Sequence, residues 1–276
     1  MVIINDLDFR YSKKQAPLFQ ELSCELPSGS IVGLLGKNGA GKTTLLKLMI
    51  GLLRPTEGTV QLMGQQPADR QPSLLQDMYF LPEEFHHPTV SIRHYVKANS
   101  GFYPRFDQAL LSRLITDFEL PEDKRLNQLS YGQKKKFLIS FALSTKCRLL
   151  VLDEPTNGLD IPSKSIFRKV MAGSLDDDQL VIISTHQVRD VENLIDRVLM
   201  LENGKFIMQK TIYEISSKLH FATAPSPEGE NILYHEMVPG GYKVITPQSN
   251  GSSSVDIELL FNAISNGSAK MKEYVK

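Results

Sequence analysis

The sequence predicts an α/β fold: a parallel sheet built around a phosphate loop, entered through a β-rich stretch, interrupted by a helical insertion and followed by a small α+β appendage. Three observations carry this. Residues 36–44, Gly-Lys-Asn-Gly-Ala-Gly-Lys-Thr-Thr, fit the G-x-x-x-x-G-K-[ST] pattern, with an apolar run before them and a Leu- and Lys-rich stretch after them. Two later runs, 149–152 and 180–185, are apolar enough for buried strands and deliver polar residues at their ends. Between the loop and these runs, residues 91–120 turn helical, with Leu110, Leu111, Leu114, Ile115 and Phe118 on the 3.6-residue period.

In chain order, residues 2–9 and 18–26 read as strands, and Pro27-Ser-Gly29 turns into the strand 31–35 that leads to the loop. Glycines let the backbone curl so that successive N–H groups face inward, and the helix expected over 42–53 adds its positive end. Lys42 would reach the β- and γ-phosphates, and the Thr43 hydroxyl would ligate Mg²⁺. Tyr11, upstream of the loop, is either core or surface filler or a ring for stacking on a purine. Residues 54–58 stop the helix and 59–63 form a strand. The strand 78–82 leads to Glu83-Glu-Phe-His-His87. Adjacent histidines share no helix face and no further ligands cluster nearby, so a loop is expected rather than a metal site.

Residues 129–133 open a basic helix in which Lys134, Lys135 and Lys136 read as a solvated face. Ser130 and Gly132 at that helix start form a second candidate anion site. The strand 149–152 delivers Asp153 and Glu154 at its carboxyl end, where open α/β sheets bind ligands. Asp153 would hold Mg²⁺ through water, and Glu154 would orient or deprotonate an attacking water. A tight turn over 155–160 and a helix over 161–172 follow. His186 ends the strand 180–185, placed to touch a γ-phosphate. A helix is expected over 187–196 and a hairpin over 198–208 around Asn203-Gly204. From Tyr213 the character changes: loops at 224–229 and 251–254, strands near 232–234 and 242–246, and an amphipathic helix over 255–264.

Composition bounds the rest. The 276 residues allow one large α/β domain plus a small unit. Lys+Arg and Asp+Glu balance at 31 each, so bulk charge gives no case for nucleic acid, and none is expected as a partner. Two cysteines, Cys24 and Cys147, read as reduced thiols of a cytoplasmic protein. The first residues carry acids at once and no basic segment, unlike a signal peptide. No apolar run approaches the roughly 18 residues that span a bilayer. A membrane role would need other chains to cross it.

With these motifs in this order, residues 1–215 resemble the ATP-binding cassette (ABC) ATPase family. The resemblance implies a P-loop ABC ATPase core over 1–217, a helical subdomain at about 85–146, and an accessory α+β domain over 218–276. Residues 36–44 look like the Walker A loop, which places Gly36, Asn38, Gly39, Ala40, Gly41, Lys42, Thr43 and Thr44 on the nucleotide. Asp153 and Glu154 match Walker B and its catalytic acid, His186 the switch histidine, and Tyr11 the ring that stacks on adenine. Ser130, Gly132 and Gln133 match the signature loop, and Asp160 the D-loop that works across a subunit interface. The implied cofactors are ATP and Mg²⁺. The implied partners are a second cassette, identical or not, and polytopic membrane subunits of an ABC-2 type exporter, with this chain peripheral on the cytoplasmic face. A soluble or regulatory cassette not coupled to transport is the alternative. Two positions depart from the pattern. Glu83 stands where the family has a metal-ligating glutamine, and Tyr131 where the signature has glycine, its ring expected either to stiffen the backbone or to pack on the partner cassette.

Overall fold

The strands that carry the phosphate loop come first in the computed structural model, which describes residues 1–85, 88–121, 123–229, 231–248, 253–266, 270, 271 and 274. The histidines at 86 and 87 lie outside the described residues. In order, the chain forms β1 (Val2–Phe9), β2 (Phe19–Leu26), β3 (Ser30–Leu35), α1 (Lys42–Met49), β4 (Glu57–Leu62), α2 (Pro72–Leu75) and β5 (Met78–Leu81). The helical stretch α3 (Ile92–Asn99), α4 (Gln108–Asp117) and α5 (Tyr131–Ser144) follows, then β6 (Leu149–Asp153), α6 (Ile161–Ser174) and β7 (Leu180–Thr185). The chain continues through β8 (Arg197–Glu202), β9 (Lys205–Thr211), α7 (Ile212–Lys218), β10 (Leu219–Ala224), β11 (Tyr234–Val238), β12 (Gly241–Pro247) and α8 (Ile257–Ser265).

The central sheet runs β5-β6-β7-β3-β8-β9, parallel except for β9. Its strands are buried on both faces, and their side chains alternate between two cores with a period of two. Leu150, Leu152, Val181, Ile183, Val198 and Met200 face a core shared with α3 to α6 and the C-terminal elements. Leu149, Val151, Leu180, Ile182, Val32 and Leu34 face the other, closed by α1 and the antiparallel sheet β2-β1-β4. The helical stretch is welded to β5 by aromatic rings: Phe141 has Tyr79, Tyr95, Tyr103 and Phe106 with centroids 5.3–6.1 Å away. Among the described residues, no helix is long and apolar enough to cross a membrane.

Several elements differ from their sequence expectation. The helix after the phosphate loop ends at Met49 rather than 53. Gly51 takes φ +71°, and the Leu52 and Leu53 amides fold back onto the Lys47 carbonyl. Residues 187–196 hold only a 3₁₀ turn at Val188–Asp190. Val188, Val191 and Ile195 have helical spacing, but the segment is tied to β3. The Ile31 amide donates to the Asp196 carboxylate at 2.9 Å and the Asp196 amide to the Ile31 carbonyl at 3.0 Å. At the C-terminal end, β10 gave no sequence signal, and the strand expected near 232–234 is β11, which starts at Tyr234. The three form an antiparallel sheet, β10-β12-β11, with α8 beside it.

Candidate functional site

The carboxyl ends of β5, β6, β7 and β3 lie side by side, and each delivers one part of the site. From β3 comes the phosphate loop. A side chain at Gly36 would put Cβ 2.6 Å from the Leu201 carbonyl oxygen, and Gly41 combines φ +102° with the Phe19 ring 2.9 Å from such a Cβ. Gly41 also stands at the N-cap of α1 without a side-chain cap, whereas α3 to α8 are capped by Ser91, Asp107, Ser130, Asp160, Thr211 and Asp256. The first amides of α1 therefore stay available to an anion. The buried Lys42 ammonium curls inside the loop, 2.8 Å from the Gly36 carbonyl and 3.7 Å from Glu154 Oε1.

The strand ends supply two buried acids, each held by donors as burial demands. Asp153 accepts from the Thr43 hydroxyl at 2.7 Å and from the Ser184 hydroxyl. Glu154, at φ +45°, lies 2.9 Å from His186 Nδ1 and accepts the His186 amide at 3.4 Å. His186 Nε2 faces away from Glu154, with the Gln187 amide nitrogen 3.5 Å from it. The Tyr11 hydroxyl hydrogen-bonds Thr44 Oγ1 at 2.6 Å, and its exposed ring stands edge-on to Phe9.

A cavity of about 420 Å³ joins these parts, lined by Tyr11, Asn38, Gly39, Gly41, Lys42, Thr43, Thr44, Glu83 and Glu154. A smaller one of about 220 Å³ joins Gly36, Asn38 and His186 to Phe261 of α8. Asp153 lies behind Thr43, and Ala40 sits in the loop with its amide on the Lys37 carbonyl at 3.1 Å. Thr43, Asp153 and Glu83 offer only oxygen ligands, a donor set that fits Mg²⁺ completed by phosphate and water. Among the described residues no group of three or more His, Cys, Asp or Glu side chains could hold a metal alone.

Eight expected residues do not line the larger cavity within one chain: Gly36 and His186 line the smaller one, Ala40 and Asp153 sit behind the larger one's wall, and Ser130, Gly132, Gln133 and Asp160 are held elsewhere. Ser130 and Gln133 close a capping box at the start of α5, with bonds of 3.2 Å and 3.1 Å. Gly132 lies against the Gly158 carbonyl, and Asp160 caps α6 through the Ser163 amide at 3.1 Å. Hydrogen bonds from Ser163 hold the Asp160 carboxyl below its usual range.

Two expectations for α5 need correction. The Tyr131 ring stacks within its own chain on Phe85, centroids 5.6 Å apart and planes 11° apart, while its hydroxyl donates to the Glu83 carbonyl at 3.1 Å. Lys135 is not on a solvated face; it is 0 % exposed, and its ammonium donates to the same carbonyl at 3.2 Å. Burial pulls the Lys135 ammonium down to about 8, against the opposing pull of Glu83, Asp153 and Glu154. The Glu83 carboxylate accepts from Asn157 Nδ2 at 2.8 Å, Asn157 Oδ1 accepts from Gln187 at 3.1 Å, and Gln187 Oε1 accepts from Lys164 at 3.1 Å. Asn157, Gln187 and Lys164 were not singled out from sequence. Their only signal is position, directly after Glu154 and His186 and on the helix that follows.

Residues 19–157 match the ABC transporter family. The chain is 31 % identical over 212 residues to the Nod factor export ATP-binding protein I of Burkholderia orbicola, covering 74 % of this chain and 70 % of that one. It is 28 % identical over 189 residues to the ABC transporter ATP-binding protein YtrB of Bacillus subtilis, covering 68 % of this chain and 64 % of YtrB's length. In fold it matches the dimeric structure of the ATP-binding cassette MJ0796 bound to ADP and Pi, with TM-score 0.64, 21 % identity, and coverage of 76 % of this chain and 98 % of that one.

Proposed function

The chain belongs to the ABC transporter family, and on that premise we propose that it is an ATP-hydrolysing subunit that pairs with a second cassette and drives export through separate membrane-spanning subunits. The observation that carries this reading is the meeting of Lys42, Thr43, Asp153, Glu154 and His186 at three adjacent strand ends, those of β6, β7 and β3. Lys42 and the first amides of α1 bind the β- and γ-phosphates of ATP, with Gly36, Asn38, Gly39, Ala40, Gly41 and Thr44 shaping the cradle. The Tyr11 ring receives the adenine. Mg²⁺, held by Thr43, Asp153 and Glu83 directly or through water, neutralises phosphate charge when bound. Glu154 orients and deprotonates the attacking water, and the Glu154 contact holds His186 with Nε2 open to the γ-phosphate.

Ser130, Gly132, Gln133 and Asp160 act on the partner's nucleotide or across the interface. Their places outside their own cavity support this, as does Ile161, 84 % exposed beside Asp160. Closure on ATP and opening after hydrolysis form the stroke. Residues 1–217 are the motor unit, with a helical subdomain at 85–146, and residues 218–276 are an accessory unit whose own sheet, β10-β12-β11, supports the division. The membrane partner is of the ABC-2 exporter type, a direction supported by the Nod factor export relative, and the cassette sits peripherally on the cytoplasmic face.

Phosphate release from MgATP tests the reading. Wild-type protein hydrolyses ATP, and Glu154→Gln slows it by roughly a hundred-fold or more while still binding nucleotide. A wild type as inactive as the variant would make this a regulatory cassette instead. Co-purification with a polytopic membrane protein tests the coupling, and its absence from solubilised membranes would favour a soluble role.

A further inference from the structure

The first turns of α5 face two ways. Ser130 caps the helix at the surface, while Tyr131 and Lys135, one turn apart on the same face, both donate to a single acceptor, the Glu83 carbonyl. Phe85 is the floor of this arrangement, with the Tyr131 ring stacked on it and the Lys135 ammonium 5.5 Å from its centroid. Burying an ammonium is costly unless it is well paired, so a fully buried lysine spent on a main-chain carbonyl marks a place where backbone position matters. At the same residue, the carboxylate lines the nucleotide cavity and is steadied by Asn157 at 2.8 Å. Glu83 is thus gripped by its backbone from α5 and by its side chain from the loop after Glu154. The Tyr131 ring also fills the space beside Gly158, where an added Cβ would lie 2.5 Å from it, so the two grips share one packed contact.

We propose that Tyr131 and Lys135 are positioning residues for Glu83: they fix its backbone from the signature helix so that its carboxylate is presented to the Mg²⁺ of the nucleotide. This rests on the ATPase reading above. It also gives the tyrosine in place of the usual signature glycine a task, since glycine has neither the ring nor the hydroxyl that reach Glu83. A shift of the helix start, as when Ser130 engages a partner's nucleotide, is transmitted to that carboxylate through the shared carbonyl.

The test uses the full chain with a non-hydrolysable ATP analogue and Mn²⁺, whose binding is read by EPR. Outer-shell partners of a metal ligand typically govern its affinity ten-fold or more, so Tyr131→Phe with Lys135→Met weakens Mn²⁺ binding by roughly ten-fold. The same double variant binds a fluorescent ATP in EDTA within about two-fold of wild type, because no nucleotide contact is lost. Lys135→Gln, which keeps a donor, restores part of the metal affinity. In a Glu83→Ala background the double variant weakens Mn²⁺ binding no further. Unchanged Mn²⁺ affinity in the double variant, or full additivity with Glu83→Ala, overturns the proposal. If the double variant does not fold, Tyr131→Phe alone decides. It keeps the stacked ring and removes only the hydroxyl, and an Mn²⁺ affinity equal to wild type overturns the proposal. A wild type that binds no ATP fails differently, since it removes the ATPase reading together with the inference.

Discussion

Glu83 and Glu154 sit at adjacent strand ends and ask different things of their carboxylates. Glu154 is 4 % exposed, held at φ +45° between Lys42 and His186, a non-glycine residue in the left-handed region. Glu83 uses one carboxylate oxygen to accept from Asn157, a bond that a glutamine oxygen accepts equally well. Glu83→Gln therefore keeps or raises ATP hydrolysis, because the Tyr131 and Lys135 contacts are to the backbone and survive the change. A collapse of turnover in that variant would show the acid itself to be required. The residues legible from sequence were those whose chemistry is fixed by a motif at a strand end: Lys42, Thr43, Asp153, Glu154 and His186. Lys135 was not. Three consecutive lysines look solvated, and only tertiary packing brings the middle one under Phe85.

Among the elements, the long apolar strands were the most readable. β7 matches its expected run and β6 extends it by one residue, because a strand buried on both faces needs an unbroken hydrophobic run. The hairpin between β8 and β9 was equally clear: Asn203 at φ +48° and Gly204 at φ +72° form the paired left-handed turn that the dipeptide signals. Gly204 is also packed, since an added Cβ would lie 2.0 Å from the Leu18 carbonyl oxygen. Gly204→Ala accordingly destabilises the fold by about 2 kcal/mol or more, read as a lowered urea midpoint. An unchanged midpoint would mean that β2 yields to the methyl group. The segment 187–196 misled because Val188, Val191 and Ile195 have helical spacing. Their anchoring to β3 through Asp196 is a contact across more than half the chain, with no local trace.

For the whole molecule, the central sheet divides two cores, and each holds one cysteine: Cys24 on the side of α1 and Cys147 on the side of α5. Burial pushes both thiols up to about 12, so neither is a nucleophile near neutrality. At pH 8 both resist maleimide in the native protein and label in denaturant; rapid native labelling of either would mean that its core opens. The order of motifs revealed the motor core, because each motif is local. The C-terminal sheet was legible only in outline, because β10 alternates weakly and pairs not with the next strand but with β12, beyond β11 in the chain.

The central claim is that this chain holds half of a shared ATP site, with Ser130 and Gly132 turned away from its own Lys42 cavity toward a partner's. The most direct measurement is light scattering of Glu154→Gln protein with and without MgATP, where hydrolysis cannot reset the closed state. The mass doubles with MgATP, and the doubling disappears in Glu154→Gln with Ser130→Arg. A Glu154→Gln protein that binds MgATP and keeps the monomer mass would contradict the shared site.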